Sequence, residues 1–453
     1  MVTRRRFIRN SAISSAGLLL GANSFANIFV GSKPKVIIIG AGFAGLAAAY
    51  QLHKRKIDFV ILEARDRIGG RVFSHTIDAA EKLVVELGAE WVGDSHDRIK
   101  ELCGEFSLKL DNNYLNTRLI RNGKFSDKDQ WHFTKKWEDK FEQLKADYHK
   151  LTDAGAKKLD KIDWWRYLVN NGCDGDDLEL RELMDSTDFG ESLRHVSAYA
   201  ALGEYAESDA TNEMDLKIAG GNQQLAFAIE AKIGTGKILK EHKVESIEQG
   251  KKVKVTCAGG KVFEGDHIIC TIPTFSIKQI KWTPALPPDV QLAMNELQYA
   301  RINKNAMLYS QRFWKDESFD MVTDTPGHYF YHATKNQPSA KGVLISYSIG
   351  DKAPVIKAQT DQLKANMIAE SLMPAFGDTR NLLEKQVDYY WGEDKYSMGA
   401  YALYGIGQWF GVLPVLQKPF LQTQFAGEHL SEDWQGFMEG AIETGEAAAA
   451  NIK

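Results

Sequence analysis

The sequence predicts an α/β fold built on a Rossmann-like nucleotide-binding unit, and three observations near its N-terminal end carry that expectation. Residues 36–39 (VIII) form a short β-branched apolar run, the mark of a strand buried on both faces of a parallel sheet. Gly40, Gly42 and Gly45 follow at once in G-x-G-x-x-G spacing and lead into a small-residue helix over 46–52. A second apolar run at 59–62 ends on Glu63, twenty-three positions after Gly40.

Each feature has its own physical cause. Gly40 permits the tight turn after the strand, Gly42 lets a pyrophosphate approach the backbone, and Gly45 lets helix pack close on strand. The helix N-terminus offers free N–H groups and the positive end of a dipole to phosphate. Glu63 is placed to accept hydrogen bonds from a ribose 2′-hydroxyl. A Gly-rich turn alone would carry little weight. Strand, glycines, helix, strand and acid in this order predict a bound dinucleotide.

Composition narrows the class. A chain of 453 residues that is 44% hydrophobic can bury a large core and is long enough for two domains. The net charge of −4 gives no basic footprint for nucleic acid. Cys103, Cys173, Cys257 and Cys270 make no C-x-x-C pair and read as buried or idle thiols. None of the 11 histidines falls in H-E-x-x-H, and Asp174-Gly175-Asp176-Asp177 does not fit a calcium loop. No metal is expected.

Residues 3–9 (TRRRFIR) fit a twin-arginine export signal, followed by a short, weakly apolar core at 13–20 and small residues up to Ala26. That core is well short of the ~20 residues needed to span a bilayer, so no stable membrane insertion is expected. Residues 1–26 are therefore expected to be a signal peptide read by the twin-arginine translocase, with a periplasmic or secreted product. Its removal deletes four arginines and no acid, taking the net charge from −4 to about −8. Residues 27–34 form a loose leader before the first strand.

Two further stretches bear on which dinucleotide is held. Glu63, Ala64, Arg65, Gly69, Gly70 and Arg71 fill a Glu-Ala-Arg-x-x-x-Gly-Gly-Arg pattern, and residues 85–93 read VELGAEWVG. Here the chain resembles the FAD-dependent amine oxidase family, which includes monoamine, polyamine and L-amino-acid oxidases. The resemblance implies FAD, with its pyrophosphate wrapped by this pattern and Arg65 and Arg71 as charge partners. It also places Ala44, Gly88, Ala89, Glu90 and Trp91 beside the cofactor. A planar, permanently charged guanidinium suits phosphate oxygens.

The same resemblance implies a Rossmann-like FAD-binding domain in three blocks, 33–80, 211–280 and 391–453. These interleave with an α+β substrate-binding domain at 81–210 and 281–390, the active site lying between the two. Along the chain, residues 131–168 are expected to be helical, with Trp137, Phe141, Leu144, Tyr148 and Leu151 forming a core stripe. A helix is expected over 176–184, and strands over 238–247, 251–256, 305–309, Gly342–Ile349 and 386–391. Residues 220–225 (GGNQQL) match a Gly-Gly-x-x-x-Leu element of the family, and 267–273 its strand-to-proline element. By resemblance, the Val244 backbone meets adenine. A purely structural strand residue is the competing expectation. Gly427 and Glu428, in residues 423–428 (TQFAGE), return the chain to the cofactor.

For the chemistry, Lys304 stands nine positions before Phe313-Trp314, the family's spacing for a lysine that holds a water against flavin N5. Trp391 opens a stretch, through Ala400 and Tyr401, that resembles the loop beneath the flavin. Animal monoamine oxidases attach FAD through a cysteine where this chain has Ala400, so FAD is expected to be non-covalent. Tyr401 and Phe437 fall where relatives place two facing aromatic rings, and Phe437 lacks the hydroxyl found in many of them. Met438 follows at the start of a helix from about 436 to 450, whose positive end would face the flavin pyrimidine.

The expected reaction is hydride transfer from the carbon next to a primary or secondary amine to FAD. The imine then gives an aldehyde plus ammonia or amine, with reoxidation by O2 to H2O2. An L-amino-acid oxidase is the alternative within the family, although Glu90 stands near where those enzymes carry an arginine for the substrate carboxylate. Glu90 could instead serve a cationic substrate or a structural hydrogen bond. A dehydrogenase passing electrons to a periplasmic cytochrome, an FAD-holding protein without catalysis, and a C–C desaturase are the remaining readings.

Overall fold

The computed structural model describes residues 35–208 and 214–453, so the stretch expected to be an export signal and leader lies outside the described residues. A five-stranded, all-parallel sheet is assembled in the order Thr423–Phe425, His267–Cys270, Lys35–Ile39, Asp58–Leu62 and Ile238–Leu239. Its central strand reads KVIII and is buried along all but its first residue, as a strand covered on both faces must be. One face packs on the helices Phe43–Lys54, Gln224–Ile233 and Met438–Ala450, which share an apolar cluster with Val36, Ile38, Ile61 and Ile269. The other face carries Ile37, Ile39 and Ile268 into a second cluster, beneath a four-stranded sheet and the helix Pro288–Glu296.

The second body is a seven-stranded sheet in the order Leu383–Tyr390, Ile302–Tyr309, Gly342–Ile349, Tyr329–His332, Phe319–Thr323, Asn116–Arg121 and Lys124–Ser126. Its pairings are antiparallel except where Phe319–Thr323 runs parallel to Asn116–Arg121. A helical layer from Lys135–Tyr148 to Ala198–Glu207 buries Trp137, Phe141, Leu144 and Trp164 together. Both sheets draw strands from segments far apart in the chain. Among the described residues no helix is long and apolar enough to cross a membrane.

Local chemistry corrects several expected boundaries. The helical span foreseen at 131–168 is three helices, Lys135–Tyr148, Asp153–Leu159 and Trp164–Asn170. Thr152 and Asp163 each turn a side-chain oxygen onto a backbone N–H three residues on, starting a new helix where the periodicity alone suggested a continuous one. The strand expected at 238–247 is two, Ile238–Leu239 and Val244–Gln249, which belong to different sheets. The helix placed at 176–184 runs from Gly175 to Phe189, with Gly190 closing it in the left-handed region.

Candidate active site

The site is built from the glycine turns upward. Gly40, at φ +102, donates its N–H to the Leu62 carbonyl at 2.9 Å and so closes the first turn. A Cβ on Gly45 would stand 2.0 Å from the Gly40 carbonyl oxygen, so this glycine is spent on packing helix against strand. The Gly69-Gly70 loop lies directly on this turn: Gly69 N–H bonds the Ala41 carbonyl at 2.8 Å and Gly42 bridges Gly69. Glu63, buried at the strand end, accepts from Ala41 N–H at 2.7 Å and Arg65 N–H at 2.8 Å. No side chain caps the helix that begins at Phe43, which leaves its N-terminal amides for an anion.

From these loops a cavity of about 610 Å³ runs between the two bodies. That volume suits a bound small molecule rather than a packing defect. Of the residues singled out in the sequence, it is lined by Gly40, Gly42, Ala44, Glu63, Arg65, Gly69, Gly70, Arg71, Gly88, Ala89, Glu90, Trp91, Lys304, Trp391, Tyr401, Gly427, Glu428, Phe437 and Met438. Gly45, Ala64 and Val244 are not among its lining residues. Val244 is buried in its strand opposite Cys257.

The two arginines expected at the pyrophosphate line the cavity, and each already has a carboxylate partner. Arg65 pairs with Asp394 and bonds Ser397 Oγ at 3.0 Å; Arg71 pairs with Glu428 and donates to the Ala400 carbonyl at 2.9 Å. Glu428 also accepts from the Gly436 N–H at 2.8 Å, tying the C-terminal segment to the Gly-Gly-Arg loop. The helix Met438–Ala450 begins after Phe437 with no side-chain cap, so its positive end opens at the cavity wall.

Lys304 is 3% exposed and extends from the strand Ile302–Tyr309. Its Nζ donates to the Gly88 carbonyl at 2.8 Å, the Glu86 carbonyl at 3.3 Å and Glu90 Oε2 at 3.3 Å. Lys217 takes the other oxygen, Oε1, at 2.6 Å, and Tyr331 Oη donates to Oε2 at 3.0 Å. Burial pushes the Lys304 ammonium below its ordinary value, against the pull of Glu90 and Glu86. Burial also opposes charge on Glu90, but Lys217 and Lys304 outweigh it and hold that carboxyl below the usual range. Glu90 is thus engaged by two lysines of its own chain.

Trp391 Nε1 donates to the Leu87 carbonyl at 2.8 Å and its ring lies against Tyr389. Tyr401 Oη lies 3.1 Å from Tyr347 Oη and donates to the Asp188 carbonyl at 3.1 Å. The Phe437 ring packs edge-on against His96 and Trp434. Tyr401 and Phe437 therefore line one cavity while each is held by partners of its own. Phe313 and Trp314, which located Lys304 in the sequence, belong to a separate apolar cluster with Tyr309 and Phe376.

Residues that the sequence did not single out complete the wall: Tyr347, Tyr329, Asp188, Phe189, Glu204, Tyr205, Met214, Asp215 and Asp320. Tyr347 sits in a strand whose eight residues are all buried, so alternation gave no sign of which face met a cavity.

The comparisons with known proteins fit this architecture. The family model described as flavin containing amine oxidoreductase matches residues 43–453. The chain belongs to this family. Amine oxidase [flavin-containing] B of Sus scrofa is 26% identical over 93% of this chain and 86% of its own length. L-amino-acid oxidase of Echis ocellatus is 25% identical over 93% and 89%. Among solved structures, wild-type putrescine oxidase bound to putrescine superposes with a TM-score of 0.83 at 21% identity, over 93% of this chain and 99% of that one. This flavin amine oxidoreductase therefore has the Rossmann-like FAD-binding fold interleaved with an α+β substrate-binding body, and FAD is its cofactor. The donor set fits FAD on the residues alone: paired glycine loops, an uncapped helix end, two cavity-lining guanidiniums and a second uncapped helix end.

Proposed function

We propose that this chain is an exported amine oxidase acting on primary or secondary amines, with O2 as acceptor and an aldehyde, ammonia or amine, and H2O2 as products. FAD, when bound, supplies the hydride acceptor. One observation carries the reading: a single cavity joins the glycine loops to Lys304, Trp391, Tyr401 and Phe437. The aromatic wall excludes water and disfavours the ammonium form, so the reacting nitrogen enters neutral with its lone pair free. Lys304, fixed by Glu90 and two carbonyls, keeps a proton and positive charge at the cavity for the reoxidation step. Ala400 offers a methyl group where a thioether would need sulfur, and none of the four cysteines lines the cavity. FAD is accordingly non-covalent.

The L-amino-acid alternative needs a cation for the substrate carboxylate. Among the described lining residues the cations are Arg65, Arg71 and Lys304, and the structure gives each a carboxylate partner. An amine panel and leucine, scored by anaerobic bleaching of flavin absorbance, tests the choice. Bleaching by amines and not by leucine is expected; the reverse overturns it. Air should reoxidise the bleached enzyme within seconds, whereas reoxidation over minutes assigns the electrons to a cytochrome instead. Acid precipitation should leave the yellow colour in solution, and colour that follows the protein excludes non-covalent FAD. Export by the twin-arginine route is tested by replacing Arg4, Arg5 and Arg6 with lysine in a periplasmic fractionation; unchanged export refutes it.

A further inference from the structure

Reduction of O2 to H2O2 takes two electrons and two protons, whereas the hydride drawn from a neutral amine carries two electrons and one proton. The second proton must come from the protein. Lys304 can give it only once unless that buried ammonium is recharged, and the side chains behind it lead away from the cavity.

Glu90 stands between two ammoniums, its Oε2 at 3.3 Å from Lys304 Nζ and its Oε1 at 2.6 Å from Lys217 Nζ. The two lysines face different spaces. Lys304 lines the large cavity and Lys217 does not, whereas Lys217 lines a separate cleft that Lys304 does not. That cleft offers about 20 Å³, enough for about one water, and its walls include the exposed Gly220 and Asn336. Asn113 is buried in the wall common to both spaces. The strand Leu216–Ile218 sets Lys217 there by pairing with Leu110–Asn112. Lys217 Nζ donates to Glu90 and to the Ala333 carbonyl at 3.4 Å, so one of its three N–H groups has no partner among the described residues.

The surroundings hold this row of charges in place. Tyr331 Oη donates to Glu90 Oε2 at 3.0 Å, and the rings of Trp91, Tyr331 and Tyr347 lie 5.4, 5.6 and 5.7 Å from Lys304 Nζ. Glu86, the other acid facing the lysines, accepts from Asn222 N–H at 2.8 Å and Ser74 Oγ at 2.9 Å, and burial raises its carboxyl. Burial pushes Lys304 below its ordinary value. It acts on Lys217 too, but Glu90 and Glu86 outweigh it and hold that lysine above its own. Lys304 is therefore the readier donor, and Lys217 the lysine that stays charged.

We propose that Lys217 and Glu90 form a proton relay that recharges Lys304 from the outer cleft once per turnover. Lys304 Nζ gives its proton to the oxygen under reduction and is left as a neutral amine. Lys217 Nζ passes a proton to Glu90 Oε1, the carboxyl turns, and that proton goes on to Lys304 Nζ. Water in the outer cleft returns a proton to Lys217. Both ammoniums and the carboxylate are restored, and solvent has supplied one proton. The proposal rests on the amine oxidase reading with O2 as acceptor and adds the source of the second proton.

The test uses holoenzyme reduced without air by one equivalent of an amine that bleaches it, then mixed with aerated, lightly buffered solution containing phenol red. Flavin absorbance follows reoxidation, and the dye follows protons taken from solvent. In the wild type, one proton per flavin should be taken up, and its uptake should lag behind flavin recovery, because the first proton is already on Lys304. Lys217→Arg keeps a cation against Glu90 but holds a proton that it does not release. Its first reoxidation should match the wild type within about twofold, while proton uptake and later reoxidations in repeated turnover slow by at least about tenfold. Dye and flavin signals that coincide in the unaltered enzyme overturn the relay whether or not the variant folds. A Lys217→Arg enzyme with wild-type turnover overturns it as well, because an ion pair is then all that the lysine supplies. So does a variant whose first reoxidation slows as much as the later ones. Flavin that no amine bleaches sinks the amine oxidase reading, and bleached flavin that air restores only over minutes sinks O2 as acceptor. A prompt oxidase without the lag sinks the relay alone.

Discussion

Glu90 is shared between two buried lysines, and that sharing decides how each behaves. Lys304→Met leaves Glu90 with Lys217 as its counter-ion, so the fold and FAD binding should survive. Flavin reoxidation is expected to slow by about a hundredfold and reduction by far less. Stopped-flow measurement of the two half-reactions checks this, equal losses marking Lys304 as structural. Lys217→Met removes the closer partner, at 2.6 Å, and leaves Glu90 and the buried Glu86 with less compensation. It should destabilise the protein by about 3 kcal/mol in urea unfolding. Lys304 was legible in the sequence because strand and Phe-Trp pair sit in one short stretch. Lys217 was not, because its partner lies 127 positions away and nothing local marks a buried lysine.

At the scale of elements, the C-terminal helix lies against the first one with no room between them. A Cβ on Gly445 would stand 2.1 Å from the Ala44 carbonyl oxygen. Gly445→Val should therefore part the two helices, lowering stability by about 2 kcal/mol and weakening FAD retention on gel filtration. The same helix carries Glu443, pushed up to about 7 by burial and then by Glu439, Asp433 and Glu446. A carboxyl raised in the fold binds its proton more tightly there than in the unfolded chain. Its contribution therefore declines as pH rises from the ordinary value of 4.5 to about 7. Glu443→Gln should raise Tm above pH 7 by about 2 °C and have little effect below 4.5. A Tm gain confined to acid pH would reverse the assignment. The sequence located the strands Lys35–Ile39 and Asp58–Leu62 of the nucleotide-binding sheet, since β-branched runs beside glycine turns have few other fates, but ran Ile238–Leu239 on into a strand of the neighbouring sheet. It merged the helices after Lys135 because apolar spacing ran on through two Thr and Asp caps. Capping chemistry outweighed periodicity there.

At the scale of the whole molecule, neither sheet can form from one continuous stretch. Thermal unfolding is expected to give a single transition by far-ultraviolet circular dichroism and by flavin release, with coincident midpoints. Added FAD should raise that midpoint in proportion to the logarithm of its concentration once above the dissociation constant. Two separated transitions would show bodies of independent stability. The interleaving itself was readable only through the family resemblance, because parallel strand order is set by crossovers that leave no local trace.

The strand Thr423–Phe425 closes one edge of the nucleotide sheet, and the helix Met438–Ala450 supplies part of the wall around the cofactor. A ribosome-bound chain therefore has no finished cradle until this strand and this helix emerge. Cofactor capture must await these elements, and a nascent polypeptide stalled anywhere upstream of them would remain colourless.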